Sequence, residues 1–261
     1  MAGHDYHLNP ASLVGERFGP GVFGDIRIAL VGYCPPPKAL DDYAPERVTD
    51  QHFIHVSPDS VRILHHQGRR LLSLAHVYGG PVSSATVEEL AYYGITHIFA
   101  YGLAGGLGTK GLAMGDFYLV DTALAADGTT PHYTTDRTIS ADPGLRDLVL
   151  ASWTGAPMTP VRAATGDAIY REDDAMLDRF RAEGCDVVNL DSAHLYAVSR
   201  TNHARRSVAT IQCGVLSDIV SADTSESTLG TMLAGGTTAF NPLERTGDIV
   251  RFYIETLASK L

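Results

Sequence analysis

The chain has 261 residues, 44% of them hydrophobic and 19% charged, enough to bury a sizeable core in one large α/β domain or two small ones. Twenty basic residues against thirty acidic ones leave a formal charge of −10, which argues against a nucleic-acid surface. No apolar run reaches the roughly 18 residues of a membrane span; Ile95–Leu107 comes nearest, and Tyr101 and several glycines interrupt it.

Met1–Pro10 shows no basic stretch leading into an apolar core, so no signal peptide is expected. The three cysteines, Cys34, Cys185 and Cys213, are odd in number and lack metal spacing, which suits a reducing cytoplasm. A cytoplasmic protein acting on a small molecule, with no nucleic-acid or membrane partner, is the expectation.

In chain order, Ile26–Val31, Leu71–Val77, Thr96–Tyr101, Phe117–Val120, Val187–Leu190 and Val208–Leu216 read as buried strands. Between them, Val87, Leu90 and Ala91 fall at helical spacing in Val82–Tyr93, which Gly94 stops. Met176, Leu177 and Phe180 make a second helical stripe ending near Gly184. Asn241, Pro242 and Glu244 supply an N-cap, a first-turn proline and a capping-box partner for a last helix carrying Ile249, Phe252 and Tyr253. This alternation predicts a single three-layer α/β domain over residues 1–261. Pro35–Pro37 makes an extended turn after the first strand. Ser221–Thr238, rich in Ser, Thr and Gly, reads as a lid or as a plain loop.

Gly102, Gly105, Gly106 and Gly108 follow a strand but match neither the dinucleotide nor the P-loop spacing. Such a string marks backbone packed close to something, whether ligand or crossing strand. The eleven histidines match no zinc motif, and no metal or cofactor is expected. Carboxylates are more informative. Asp167 lies in Thr165-Gly-Asp-Ala-Ile-Tyr170, just past a strand; Asp191 lies where Val188-Asn-Leu passes into a helix; Asp218 follows Ser217 at the end of the strand Val208–Leu216. Each alone reads as a helix cap. Together they converge on the carboxyl ends of strands, where open α/β sheets bind ligands.

Gly79-Gly-Pro-Val-Ser-Ser-Ala-Thr-Val-Glu-Glu-Leu-Ala-Tyr-Tyr-Gly94, Gly102-Leu-Ala-Gly-Gly-Leu107, Gly115-Asp116, Asp127-Gly-Thr129, Thr165-Gly-Asp-Ala-Ile-Tyr170 and Asn189-Leu-Asp-Ser-Ala193 together resemble the nucleoside phosphorylase superfamily, with its uridine phosphorylase, purine nucleoside phosphorylase and methylthioadenosine nucleosidase types. The body is most like uridine phosphorylases, and Tyr6-His7-Leu8 is similar to their Phe-His-Leu. Nearly the whole chain is covered. The resemblance implies a mixed, partly barrel-like sheet flanked by helices. It also implies a homodimer or trimer of dimers with sites at dimer contacts, and chemistry at a nucleoside N-glycosidic bond.

By the same resemblance, Asp191 replaces the glutamate that binds ribose hydroxyls, and Leu190 the methionine under the sugar. His7 matches the histidine a partner subunit lends to the 5′ end. Asp218, in Ser217-Asp218, matches the purine-type aspartate that protonates the leaving base. The remaining pocket positions are Gly102, Leu103, Ala104, Gly105, Thr165, Asp167 and Asn189. Ala164 stands where purine enzymes carry a stacking aromatic, which leaves the base pocket unassigned.

The phosphate site departs most. Proline occupies the arginine position of the phosphorylase Gly-Asp-Pro-x-Arg segment, here Gly32-Tyr-Cys-Pro-Pro36. Ala100 and Leu103 align with the second arginine and the phosphate-binding Thr or Ser, and the third arginine falls near Gln51. Phosphate recognition relies on charge-assisted, bidentate guanidinium contacts, so their joint loss points away from phosphorolysis; Lys38 and Arg47 lie off the matching positions. Leu103-Ala-Gly-Gly-Leu107 resembles the Ser-Ala-Gly-Gly-Leu of the nucleosidases, yet Cys34–Pro37 offers no counterpart to their water-activating glutamate. Three readings follow: a phosphate-independent nucleoside-cleaving enzyme, a phosphorylase with a rebuilt anion site, and a non-catalytic nucleoside binder.

Overall fold

The computed structural model describes residues 6–201, 208–220, 230–231, 236 and 241–261. Among these, ten strands form one mixed sheet: β1 (Ile28–Gly32), β2 (Glu46–Arg47), β3 (Val61–His66), β4 (Arg69–Leu74), β5 (His97–Gly106), β6 (Phe117–Ala125), β7 (Thr138–Ser140), β8 (Met158–Thr165), β9 (Val187–Asn189) and β10 (Ala209–Ile219). Neighbours run β10-β6-β8-β9-β5-β1-β4-β3-β2, with β7 beside β6 and an additional β10–β5 pairing. That pairing closes β10, β6, β8, β9 and β5 into a ring, the barrel-like half, while β1, β4, β3 and β2 continue from β5 as open sheet. The layered, partly barrel-like α/β architecture expected from the sequence is the one observed.

The strands form because their apolar runs have nowhere else to go. Ala29, Leu30, Val31, Ile98, Phe99, Ala100 and Tyr101 are wholly buried, as continuous apolar strands of parallel sheet covered on both faces should be. Parallel pairs need crossovers, and helices supply them. Helix α1 (Pro10–Leu13) is a single turn; α2 (Gly80–Tyr93), α3 (Pro143–Ser152), α4 (Asp174–Ala182), α5 (Ser192–Thr201) and α6 (Pro242–Arg251) flank the sheet. Gly94 ends α2 at φ 97°, its N–H donating to the Leu90 and Ala91 carbonyls, a left-handed cap that glycine adopts without strain. Asn241 caps α6 by accepting from the Glu244 N–H at 3.1 Å. Past Arg251 the chain continues as a π-helical turn, Phe252–Leu257. There Tyr253 donates to the Ala100 carbonyl at 2.8 Å and accepts from the Cys213 N–H at 3.0 Å, tying the C-terminal segment to β5 and β10.

Three expectations are corrected. The glycine string does not follow its strand: Gly102, Gly105 and Gly106 are inside β5, pairing with β10 and β9. Without side chains the backbone can still pair with its neighbours, so the strand need not stop. The strand expected at Leu71–Val77 lies at Arg69–Leu74, because it is the second arm of a hairpin with β3. Its two-residue turn, Gln67 and Gly68, has φ of 48° and 77°, the paired left-handed conformations that hairpins favour. The run read as Phe117–Val120 continues to Ala125, since β8 pairs along that whole length. Most of Ser221–Thr238 lies outside the described residues.

Candidate functional site

β1, β5 and β10 run parallel, so their carboxyl ends open on one edge of the sheet, and Asp191 sits there at the start of α5. The residue is 6% exposed. Oδ2 accepts from Gln212 Nε2 at 2.6 Å and Oδ1 from the Leu190 N–H at 3.0 Å. Burial raises its pKa from 3.8 to about 7, against the pull of those two donors, because desolvation penalises the charged form more than two hydrogen bonds repay.

The ground beside Asp191 is bare backbone. A Cβ at Gly102 would stand 3.2 Å from Tyr33 Cβ, 3.5 Å from Asp191 Oδ2 and 3.7 Å from Gln212 Nε2. Across the ladder, Gly102 pairs with Gly214, whose missing side chain leaves space for the Tyr118 hydroxyl; a Cβ there would collide with that oxygen and stand 2.8 Å from the Gly102 carbonyl. Tyr118 is fully buried, and its hydroxyl has no partner among the described residues. Tyr33, just past β1, shares a 2.6 Å hydrogen bond with Ser83. Burial and the Asp191 charge together push the Tyr33 and Tyr118 phenols far above the usual range. The same two causes raise the Cys34 thiol to about 12, so it stays protonated and is no nucleophile at neutral pH.

Thr165 and Asn189, expected in the pocket, are buried at 0% and 5% exposure and spend their polar groups on the protein. The Ala193 N–H donates to Thr165 Oγ1 at 2.9 Å, Thr165 to Asn189 Oδ1 at 3.1 Å, Asn189 Nδ2 to Ser192 Oγ at 2.6 Å, and Ser192 to Gln212 Oε1 at 2.7 Å. The series ends on Asp191 through Gln212. Leu190 is half-buried, and its carbonyl bonds His194 Nε2 at 2.8 Å.

Asp218 is half-buried and in register with Gly105 on β5, three residues beyond Gly102, or about 10 Å along the strand. A register shift between Leu216 and Asp218 re-aims the Asp218 side chain away from the simple alternation of Gln212, Gly214 and Leu216, as bulges do. Ser217 Oγ donates to Asp218 Oδ2 at 2.7 Å, and Oδ1 is buried with no partner among the described residues. Ala104 is buried, and Leu103 packs half-buried on the main core opposite Val215. Asp191 therefore lies beside Gly102, and Asp218 lies at the register of Gly105.

Asp167 and His7 stand apart from that pair. Asp167 is exposed, accepts from the Gly128 N–H at 2.6 Å, and lines a separate cavity of about 640 Å³ with Gly80, Ser84, Thr129, His132 and Tyr133. His7 is exposed on an N-terminal segment whose Tyr6 bears electrostatically on Tyr133 of that cavity. Of the positions that the resemblance aligned with phosphate-binding residues, Pro36 is exposed, Ala100 is wholly buried with its carbonyl taken by Tyr253, and Gln51 bonds the Val56 carbonyl within its own loop. Among the described residues no cluster of three His, Cys, Asp or Glu side chains could hold a metal ion, and no helix is long and apolar enough to cross a membrane.

Sequence reasoning passed over Tyr33, Tyr118 and Gln212. Gln212 carried a usable signal: one polar side chain inside the apolar run Val208–Leu216 requires a buried partner. Tyr118 carried none, since which side chain fills the space left by Gly214 depends on strands far apart in sequence.

The family profile of the phosphorylase superfamily matches residues 27–234. The chain belongs to the phosphorylase superfamily. A relative, the uncharacterized protein R802 of Acanthamoeba polyphaga mimivirus, is 28% identical over 224 residues, 84% of this chain and 85% of that protein. Among solved structures, the chain is similar to the Campylobacter jejuni 5′-methylthioadenosine/S-adenosyl homocysteine nucleosidase (TM-score 0.66, 15% identity, 90% of this chain and 100% of that one). It is similar too to the Helicobacter pylori futalosine hydrolase (0.68, 12%, 90% and 98%) and the Vibrio fischeri uridine phosphorylase (0.67, 16%, 90% and 93%). At these identities the superfamily neighbours establish the fold.

Proposed function

We propose that the protein is an enzyme that cleaves a nucleoside N-glycosidic bond without phosphate, working as one domain across the whole chain. The observation that carries this reading is the buried Asp191 carboxyl beside the bare backbone of Gly102. A carboxylate held by two donors beside glycine backbone is suited to accept hydrogen bonds from sugar hydroxyls. Cleavage builds oxocarbenium character on the sugar and negative charge on the departing base. Asp191 is assigned to the hydroxyls and Asp218 to the base, whose nitrogen takes the electron pair of the breaking C–N bond and the Asp218 proton. Gly102, Leu103, Ala104, Gly105 and Leu190 would form the walls. Water then adds at the sugar carbon and releases a proton to solvent.

Phosphate independence is supported by Pro36, Ala100 and Leu103 standing at the positions that the resemblance aligns with phosphate-binding residues, none of which carries a guanidinium. Nucleosidases and a uridine phosphorylase are both among the structural neighbours, so the fold alone is neutral between water and phosphate. The deciding experiment incubates the protein with purine and pyrimidine nucleosides, with and without phosphate, and identifies products by mass spectrometry. Free ribose in both arms is the expected result. Ribose 1-phosphate would move the assignment to a phosphorylase with a rebuilt anion site, and binding without product to a non-catalytic homologue.

A further inference from the structure

The hydrogen bonds behind Asp191 have a direction. The Ala193 N–H can only donate, and an ionised carboxylate can only accept. Between them, each of Thr165, Asn189, Ser192 and Gln212 receives from the preceding group and donates to the next. Because Asn189 Nδ2 donates to Ser192 Oγ, the serine hydrogen is free for Gln212 Oε1, and this turns the Gln212 amide so that Nε2 must face Asp191. We propose that Gln212 is the positioning residue of Asp191: the last link of a one-way chain that holds the carboxyl in place and favours its ionised, hydroxyl-accepting form. The inference rests on the reading of Asp191 as the sugar-binding group.

Three features support it. Gln212 is wholly buried in the strand interior, where an amide survives only with its groups paired. Its backbone is fixed separately, the Gln212 N–H donating to Tyr196 Oη at 3.1 Å. Aligned donors reinforce one another in a low-dielectric interior. Among the described residues, the titratable groups on which the Asp191 charge registers are Tyr33 and Cys34 past β1 and Tyr118 on β6. None is a cation, so the Gln212 amide and the Leu190 N–H are what oppose the desolvation.

The test uses the whole protein, labelled with carbon-13 at aspartate carboxyls, the Asp191 signal being assigned by its loss in Asp191→Asn. Gln212→Met keeps the side-chain length and removes the amide. The Asp191 midpoint should move upward from about 7 by roughly one pH unit or more, as loss of a hydrogen bond to a charged group requires. Adenosine and uridine binding, followed by calorimetry, should need correspondingly higher pH. Ser192→Ala, which leaves the Gln212–Asp191 pair itself in place but releases the amide from its enforced orientation, should move both in the same direction by less, and serves if Gln212→Met does not fold. An Asp191 midpoint unchanged in these variants, with nucleoside binding intact in the parent protein, overturns the assignment of Gln212 alone. A parent protein that binds neither nucleoside at any pH overturns the sugar-binding reading and this inference with it.

Discussion

Replacing Asp191 with asparagine should stabilise the protein at alkaline pH while removing its affinity for nucleosides. The carboxyl titrates at about 7 in the folded protein against an ordinary value of 3.8. A raised folded-state pKa means the native state binds the proton more tightly than the unfolded state does. Stability contributed at low pH is therefore lost as pH rises from the unfolded value to about 7, and the loss is complete above that. Between about pH 5 and pH 8 the wild-type protein should lose about 3 kcal/mol from this group, at 1.36 kcal/mol per pH unit up to the native midpoint. The asparagine side chain of the variant cannot ionise and escapes the loss. It does mismatch one of the two donors now facing the carboxyl, but that penalty is the same at both pH values and cancels in the comparison. Thermal melts of both proteins at the two pH values provide the assay. The Tm difference, variant minus wild type, should grow by roughly 6–12 °C from pH 5 to pH 8 for a chain of this size. A difference independent of pH would refute the reasoning, since Asp191 would then titrate in the folded protein as it does in the unfolded chain. Proteins carry such costs where function needs a strained group, and a variant that gains stability and loses binding would mark this one.

Asp218→Asn keeps the shape and the ability to donate a hydrogen bond but cannot transfer a proton. On whichever nucleoside proves to be cleaved, turnover should fall roughly 10²–10⁴-fold with binding nearly unchanged; full activity in the variant would remove Asp218 as the acid. If His7 serves a partner's pocket, light scattering at micromolar concentration should show at least a homodimer, or a trimer of dimers, and a monomer would remove His7 from the site.

Much of the architecture was readable because it depends on local chemistry. Gly94 closing α2 and Asn241 opening α6 are decided within a few residues of each element, and buried runs such as Ile98–Tyr101 carry their own strand signal. The motifs that resembled a family pointed to the right superfamily, and Asp191 and Asp218 could be picked out as acids at strand ends. Pairing partners decided the rest. Whether glycines after Tyr101 turn or continue depends on β9 and β10 lying alongside, with Gly102 meeting Gly214 from more than a hundred residues away. The sequence could list Thr165, Asn189 and Asp191 as one pocket. Only the packed structure shows Thr165 and Asn189 in one buried hydrogen-bond series that reaches Asp191 through Ser192 and Gln212, and Asp167 lining a different cavity. A residue's type announces what it can donate or accept. Which group stands opposite it, and how much water is left between them, is settled by long-range contacts that no local pattern contains.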